Sequence, residues 1–230
     1  MQKIAIVVNN SWYAWNMRAN LAFAFQKKNY EVIFICPYDK YSENIKKYFN
    51  YIDIKINSRG INPIQDLRVF LNYYSIYKKI KPDIVLHYTI KPNIYGTIAA
   101  YVLKIPSINN IAGLGTLFIN QNFITRIAKQ LYKFSQKKAS KIFFQNNDDF
   151  KTFVSEGLVQ EYKCDVLPGS GVDLEKFKFV QKEKNKTFRF LLASRMLWAK
   201  GIKEFIDAAK ILKKKYKNVE FHLLGHLDMK

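Results

Sequence analysis

The chain opens on an unbroken apolar run, KIAIVV (3–8), and then changes period. In WNMRANLAFAFQKK (15–28) apolar residues recur every three or four positions, the spacing of one helix face. A second apolar run, EVIFIC (31–36), and an alternating one, YIDIKI (51–56), predict two more strands. PIQDLRVFLNYYSIYKKI (63–80) predicts a long helix, with Pro63 at its first position, where a missing N–H costs nothing. The alternation continues through strand DIVLHY (83–88), helix NIYGTIAAYVLK (93–104) with Asn93 as its N-cap, and strand IPSINNI (105–111). Helix FITRIAKQLYKFSQKKA (123–139), strand KIFFQ (141–145), helix NDDFKTFVSEG (147–157) closed by Gly157, and strand KCDVLP (163–168) complete it.

Strands separated by helices in this order give an α/β domain: a Rossmann-like, doubly wound parallel sheet with helices on both faces. Ligands of such sheets bind in the crevice at the carboxyl ends of the strands. The loops to watch are therefore 9–15, 37–40, 87–93, 109–116 and 146–149. The charged, helix-poor stretch QKEKNK (181–186) reads as a linker. A second α/β pattern follows: strand FRFLLAS (188–194), amphipathic helix KGIKEFIDAAKILKKKY (200–216), and strand VEFHLLG (219–225). The expected organisation is a Rossmann-like domain over 1–180, a linker over 181–187, and the first βαβ unit of a second such domain over 188–230. One βαβ unit is too small to be stable by itself.

Composition agrees with a folded chain and adds a charge. Apolar residues make up 49% and charged residues 24%, which excludes a disordered chain. The formal net charge of +20 favours anionic partners such as nucleotides, phosphorylated lipids or a membrane surface. Nearly all of the excess is lysine, with arginine only at 18, 59, 68, 126, 189 and 195. A lysine-rich solvated surface is the competing explanation, and both stay open. No RNA- or DNA-binding motif accompanies the charge, so nucleic acid is not an expected partner. Cys36 and Cys164 lack metal-ligand spacing, and Cys36 reads as a small core residue. The first apolar run is too short for a signal peptide, and none approaches the roughly 18 residues of a spanning helix. The expected location is cytoplasmic, with any membrane contact peripheral.

Several residues carry candidate chemistry. In "LLASRMLWAKGI" (191–202), Arg195 and Lys200 follow a strand and Gly201 opens a helix. Cations at a strand's carboxyl end, with helix N–H groups beside them, suit a diphosphate. His87 ends a strand at the expected crevice, and a hydrogen-bonded structural histidine is the alternative. Lys91 and Asn93 follow the same strand, where a cation and an amide suit a phosphate or a sugar. Gly113 and Gly115 permit close backbone approach, or simply a turn. His87, His222 and His226 form no metal-ligand cluster with nearby carboxylates, so no metal is expected. Residues 123–141 set Arg126, Lys129, Lys133, Lys137, Lys138 and Lys141 beside Phe123, Ile127, Leu131 and Phe134. That stretch suits either an anionic membrane or an ordinary surface helix.

Two Rossmann-like patterns joined by a linker, the second opening on a cationic turn, resemble the GT-B glycosyltransferases. The stretches "NNSWYAWNMRANLAFAFQKKNYEVIFICP", "KPDIVLHYTIKPNIYGTIAA", "INNIAGLGTLF", "VLPGSGVDLEKF" and "ASRMLWAKGIKEFIDAAKILK" carry a narrower resemblance. It is to the retaining, family 4 type that contains many bacterial polysaccharide enzymes. Within it the chain looks most like enzymes extending a saccharide on undecaprenyl diphosphate. The N-acetylgalactosaminyltransferases of bacterial glycan, capsule and O-antigen pathways are the nearest type.

The resemblance implies that Arg195 and Lys200 bind the donor's diphosphate, stabilising charge on the leaving group. It implies that Gly225 lies on the donor side and that His87 touches the transferred sugar as a catalytic residue. Many relatives carry a Gly-Gly pair in the loop after the first strand. Here Asn10, Ser11, Trp12 and Trp15 stand instead, which disfavours NAD and suggests an aromatic wall for a sugar acceptor. Trp15 alone also fits a core position. The implied partners are a nucleotide sugar, as substrate and not cofactor, and an undecaprenyl-diphosphate-linked saccharide at the cytoplasmic face of the inner membrane. The family's second domain continues with a motif of two glutamates that touches the donor, and no such segment follows Lys230. The expectation is a truncated gene product, a split enzyme or an incomplete sequence, inactive as it stands. The alternative is a non-catalytic acceptor- or membrane-binding remnant.

Overall fold

The computed structural model describes residues 1–56, 62–113, 123–181 and 187–226, and in the helix that follows 122 it describes no side chains at 123–125 and 128. The chain divides into two compact units, Met1–Asp173 and Leu174–Lys230.

In the first unit seven strands form one parallel sheet. They are β1 (Lys3–Val7), β2 (Glu31–Ile35), β3 (Asn50–Ile52), β4 (Ile84–Tyr88), β5 (Ser107–Ile111), β6 (Lys141–Phe144) and β7 (Cys164–Val166). Their order across the sheet is β3-β2-β1-β4-β5-β6-β7. The chain thus winds outward from β1 in one direction, then returns and winds outward from β4 in the other. The reversal lies between β1 and β4, where Val7 pairs with His87. That junction is the topological switch point, the place where such sheets open a ligand crevice.

The central strands are buried on both faces, which is why they read as near-continuous apolar runs. Alternate residues feed two cores. Ile4, Ile6, Val8, Phe34, Leu86 and Tyr88 pack on one face. Ala5, Val7, Ile33, Ile35 and Val85 pack on the other, against Tyr73 and Tyr77.

Helix α1 begins at Ser11–Tyr13, widens into a π-helical stretch at Ala14–Arg18 and resumes as Ala19–Lys27. Helix α2 is Ser42–Lys46, and α3 is Pro63–Ile80, capped by the Asn62 side chain on the N–H groups of Ile64 and Gln65. Helix α4 starts as a second π-helical stretch, Pro92–Gly96, and continues as Thr97–Val102. Helices α5 (Phe123–Lys138) and α6 (Asn147–Ser155) complete the layer.

Three expectations are corrected here. The first helix starts four residues before position 15, because the Asn10 side chain caps it. Asn93 is not an N-cap but lies inside the π-helical turn. The third strand ends at Ile52, since the next ladder groups of the neighbouring chain go to side chains: the Tyr38 N–H donates to Asp53 Oδ1, and the Cys36 carbonyl accepts from the Tyr51 hydroxyl.

In the second unit β8 (Phe188–Ala193) and β9 (Val219–Leu224) pair in parallel, joined through α7 (Ile202–Lys215). Phe221 holds the layers together, stacked on Phe190 at 4.8 Å and edge-on to Phe205 at 5.8 Å.

Candidate functional site

The loop after β1 forms one wall of the switch-point crevice. Asn10 Oδ1 accepts from the Tyr13 N–H at 2.7 Å, and its amide donates to Asn9 Oδ1 at 3.0 Å. Ser11 is wholly buried. Its Oγ lies 2.6 Å from the Pro37 carbonyl and 2.8 Å from Ser42 Oγ, fastening this loop to the one after β2. The neighbouring Cys36 thiol is pushed up to about 12 by burial, so it stays protonated and inert. Trp12 is 45% exposed, with its backbone N–H on Asp39 Oδ2. Trp15 instead stacks on Tyr48, centroids 6.0 Å apart, against the core. The expected aromatic wall is therefore corrected: Trp12 is exposed, while Ser11 and Trp15 hold the loop from within.

His87 is corrected more sharply, because it does not face the crevice. On a strand alternate side chains take opposite faces. His87 shares the face of Val85, beneath α3 and α4, and is 0% exposed. Its Nε2 lies 2.9 Å from the Tyr77 hydroxyl and its Nδ1 3.0 Å from Asn109 Oδ1. An Nδ1–H tautomer satisfies both, donating to Asn109 and accepting from Tyr77. Burial lowers the His87 pKa to about 3, only partly opposed by the Asn109 hydrogen bond. The ring is neutral at physiological pH and out of reach of a sugar. Gly96 explains how α4 covers it: a Cβ there would stand 2.5 Å from His87 Nε2 and 2.8 Å from Cδ2.

The polar chain continues from His87. Thr97 Oγ1 donates to Asn109 Oδ1 at 2.9 Å, and Asn109 Nδ2 donates to Gln136 Oε1 at 2.7 Å. The Asn93 carbonyl, set in the π-helical turn, accepts from Gln136 Nε2 at 3.0 Å. Asn93 is itself buried, its amide on the Asn110 carbonyl. It braces α4 against β5 instead of lining the rim. Lys91 is corrected too: its ammonium pairs with Asp66 at 2.7 Å, the two side chains 11% and 13% exposed. Its charge is already neutralised. Gly113 is exposed, and Gly115 lies outside the described residues.

Sequence reasoning missed Arg18. It closes the π-helical stretch of α1 and is only 5% exposed. Its guanidinium lies 4.1 Å from the centre of the Tyr88 ring and 5.1 Å from that of Tyr13. Nη2 donates to Tyr13 Oη at 2.6 Å and Ser170 Oγ at 3.1 Å, and Nε has no partner. Tyr88 ends β4, so this cation sits at the switch point. One signal was available: six arginines in a lysine-rich chain, one of them inside an otherwise apolar helix pattern.

In the second unit β8 ends at Ala193, and both Arg195 and Lys200 are exposed in the turn that follows. Gly201 adopts φ 78°, a left-handed conformation that glycine takes without strain, and α7 starts from it. Gly225 lies against this turn. A Cβ there would collide with the Ser194 carbonyl oxygen and stand 2.9 Å from Met196 Cε. The Ser194 and Met196 N–H groups donate to the carbonyls of Leu224 and His226. The glycine thus lets the end of β9 pass close beside the cationic turn.

Helix α5 turns a mixed face inward, with Tyr132 in the apolar core beside two polar residues. Ser135 and Gln136 are wholly buried, whereas Ile127 and Phe134 are 47% and 51% exposed. Tyr101 and Val102, at the end of α4, are also exposed. Lys138 Nζ lies 4.3 Å from the centre of the Tyr101 ring and 5.8 Å from that of Phe134. A cavity of about 510 Å³ lined by Met1, Glu31, Tyr48 and Asn50 lies at the amino ends of β1 to β3, away from the crevice. Among the described residues no group of three or more His, Cys, Asp or Glu could hold a metal ion.

Comparison with known proteins agrees with this architecture. The family described as "Glycosyl transferase 4-like" matches residues 3–146. The chain is similar to the N,N'-diacetylbacillosaminyl-diphospho-undecaprenol alpha-1,3-N-acetylgalactosaminyltransferase of Campylobacter jejuni, 29% identical over 93% of this chain and 61% of that protein. It is also similar to the UDP-Gal:alpha-D-GlcNAc-diphosphoundecaprenol alpha-1,3-galactosyltransferase of Escherichia coli, 30% identical over 67% of this chain and 42% of that protein. The chain thus spans less than two thirds of the length of either relative. Among solved structures, a glycosyltransferase from Rickettsia africae has a TM-score of 0.68, with 18% identity over 99% of this chain and 61% of that one. At that identity the likeness concerns the fold alone.

Proposed function

Since the chain belongs to the glycosyl transferase 4-like family, we propose that it serves in transfer of a sugar from a nucleotide diphosphate sugar to a saccharide carried on undecaprenyl diphosphate, in bacterial surface glycan synthesis. The sugar is an N-acetylhexosamine. The observation that carries the reading is the turn after β8. There Arg195 and Lys200 stand exposed at a strand's carboxyl end, and a glycine opens the next helix. A departing nucleoside diphosphate gains negative charge, and two cations beside helix N–H groups stabilise it without a proton transfer. The nucleotide sugar is a substrate in this scheme, and no cofactor enters it. His87 has no chemical role here; it fixes the sheet and helix that shape the acceptor side.

The acceptor is a membrane lipid, and the outward face of α5 supports a peripheral contact with the membrane. Ile127 and Phe134 present apolar surface there, with Arg126 and Lys137 exposed on the same helix. No helix among the described residues is long and apolar enough to cross a membrane.

UDP binding tests the donor turn. Calorimetry should show saturable binding by the wild-type chain, weakened at least 10-fold in Arg195→Ala and in Lys200→Ala. A folded chain that ignores UDP, or variants that bind it unchanged, refute the assignment. Transfer of radiolabelled N-acetylgalactosamine from its UDP form to an undecaprenyl-diphosphate-linked saccharide tests the reaction itself.

A further inference from the structure

We propose that Arg18 is the anchor for a phosphoryl group entering the switch-point crevice, and that this group is the diphosphate of the lipid-linked acceptor. The source of the anion rests on the function proposed above; the anion site itself does not.

A guanidinium cannot shed its charge inside a protein. Buried cations are therefore normally paired with a carboxylate or another anion. Arg18 is 5% exposed, and no carboxylate among the described residues forms an ion pair with it. Its polar partners are two neutral hydroxyls, Tyr13 and Ser170, both on Nη2. The Nε–H is buried with no partner. Nε–H and Nη2 lie along one edge of the guanidinium, the edge that grips two oxygens of a phosphate or carboxylate at once. The Tyr88 ring lies against the guanidinium face and holds that edge in place.

A second observation at the same end of β4 points the same way. Thr89, the next residue after Tyr88, adopts φ 74°. For a β-branched residue this is strained backbone, and such strain concentrates at ligand sites. Its Oγ1 is also buried and unpartnered. The π-helical stretch Ala14–Arg18 adds to the case, since such widened turns recur at functional sites.

Ser170 is the group an anion would displace. It lies between Gly169 and Gly171, at φ 80° and 75°, and nothing stands within 4 Å of the Cβ position of either glycine. The serine also accepts from Gln145 Nε2 at 2.7 Å, which keeps it placed in the absence of a ligand. On anion entry an oxygen replaces the serine hydroxyl on Nη2 and a second oxygen takes the idle Nε–H.

The test is nitrogen-15 NMR of the arginine Nε–H groups in the full chain. Six arginines give a resolvable set. The Arg18 signal is assigned by its loss in Arg18→Lys and, independently of that variant's folding, by nuclear Overhauser contacts to the Tyr88 ring. Inorganic pyrophosphate, farnesyl diphosphate and UDP are titrated in turn. Pyrophosphate and farnesyl diphosphate should shift the Arg18 signal saturably, farnesyl diphosphate binding at least 10-fold tighter. Arg18→Lys should weaken both at least 10-fold, while Ser170→Ala binds as well as wild type or better. An Arg18 signal unmoved by either probe overturns the anion site and leaves a structural arginine stacked on tyrosine. Equal affinity for the two probes overturns the lipid-linked source. UDP binding that shifts Arg195, with sugar transfer intact but the Arg18 signal unmoved by pyrophosphate and farnesyl diphosphate, leaves the proposed function standing and removes this site. An Arg18 response without sugar transfer does the reverse.

Discussion

His87 shows how one residue's environment overrides its chemistry. Its pKa falls to about 3 in the folded chain, against an ordinary value of 6.5. Above pH 6.5 the ring is neutral in both folded and unfolded states and contributes no pH dependence. Between pH 6.5 and 3 only the unfolded chain binds the proton, so stability is lost as the pH falls. The slope is about 1.4 kcal/mol per pH unit, or about 2 kcal/mol by pH 5. His87→Gln should flatten this part of the profile in urea unfolding at pH 7 and pH 5. An unchanged slope would show that His87 titrates freely in the folded state. Gly96 belongs to the same contact. Gly96→Ala drives a methyl into a ring that Tyr77 and Asn109 hold in place, and should cost about 1–3 kcal/mol, read as a lowered urea midpoint.

At the scale of elements, alternation was legible because periods of two and 3.6 are written into residue order. β1, β2 and β4, and the long α3 with its proline start, follow from it directly. The two π-helical stretches do not, since a one-residue widening leaves the apolar pattern almost unchanged. Yet those stretches hold Arg18, the Asn93 that braces α4 on β5 and the Gly96 that lies against His87, the places where the residue-level reading of the site failed. The Lys91–Asp66 pair, linking the start of α4 to the first turn of α3, was equally hidden. Twenty-five positions separate the two charges, and only packing brings them together. Lys91→Met leaves the largely buried Asp66 without its counter-charge, with only the Tyr95 hydroxyl beside it, and should destabilise the first unit by about 3 kcal/mol. Combining it with Asp66→Leu should recover most of that loss, as a thermal melt would show. If the double variant is no better than the single, the pair is not what holds these helices.

Over the whole molecule the +20 charge takes on meaning only where it meets apolar surface. The charge alone is compatible with a solvated surface. Phe134 on α5, exposed beside Lys138 and Tyr101, and Ile127 two turns earlier give it a face that anionic lipid would attract. Co-sedimentation should be strong with vesicles containing phosphatidylglycerol and weak with phosphatidylcholine alone. It should fall at least 5-fold in Ile127→Glu/Phe134→Glu, and fall with salt, since the Debye length shortens to about 3 Å at 1 M. Binding to both vesicle types alike, or unchanged in the double variant, would assign α5 to the solvent.

Sequence by itself determined the doubly wound parallel architecture, two α/β patterns, and the cationic turn at Arg195 and Lys200. These rest on local periodicity and on short-range spacing, which survive in a one-dimensional string. Only the tertiary structure decided which strand-end residues face the crevice. His87 and Tyr88 are neighbours in the chain and lie on opposite faces of the sheet. The first is sealed under α3 and α4, and the second lies against the buried guanidinium of Arg18. That assignment depends on which helix covers which face and on backbone widened by one residue, and neither is encoded in the apolar pattern.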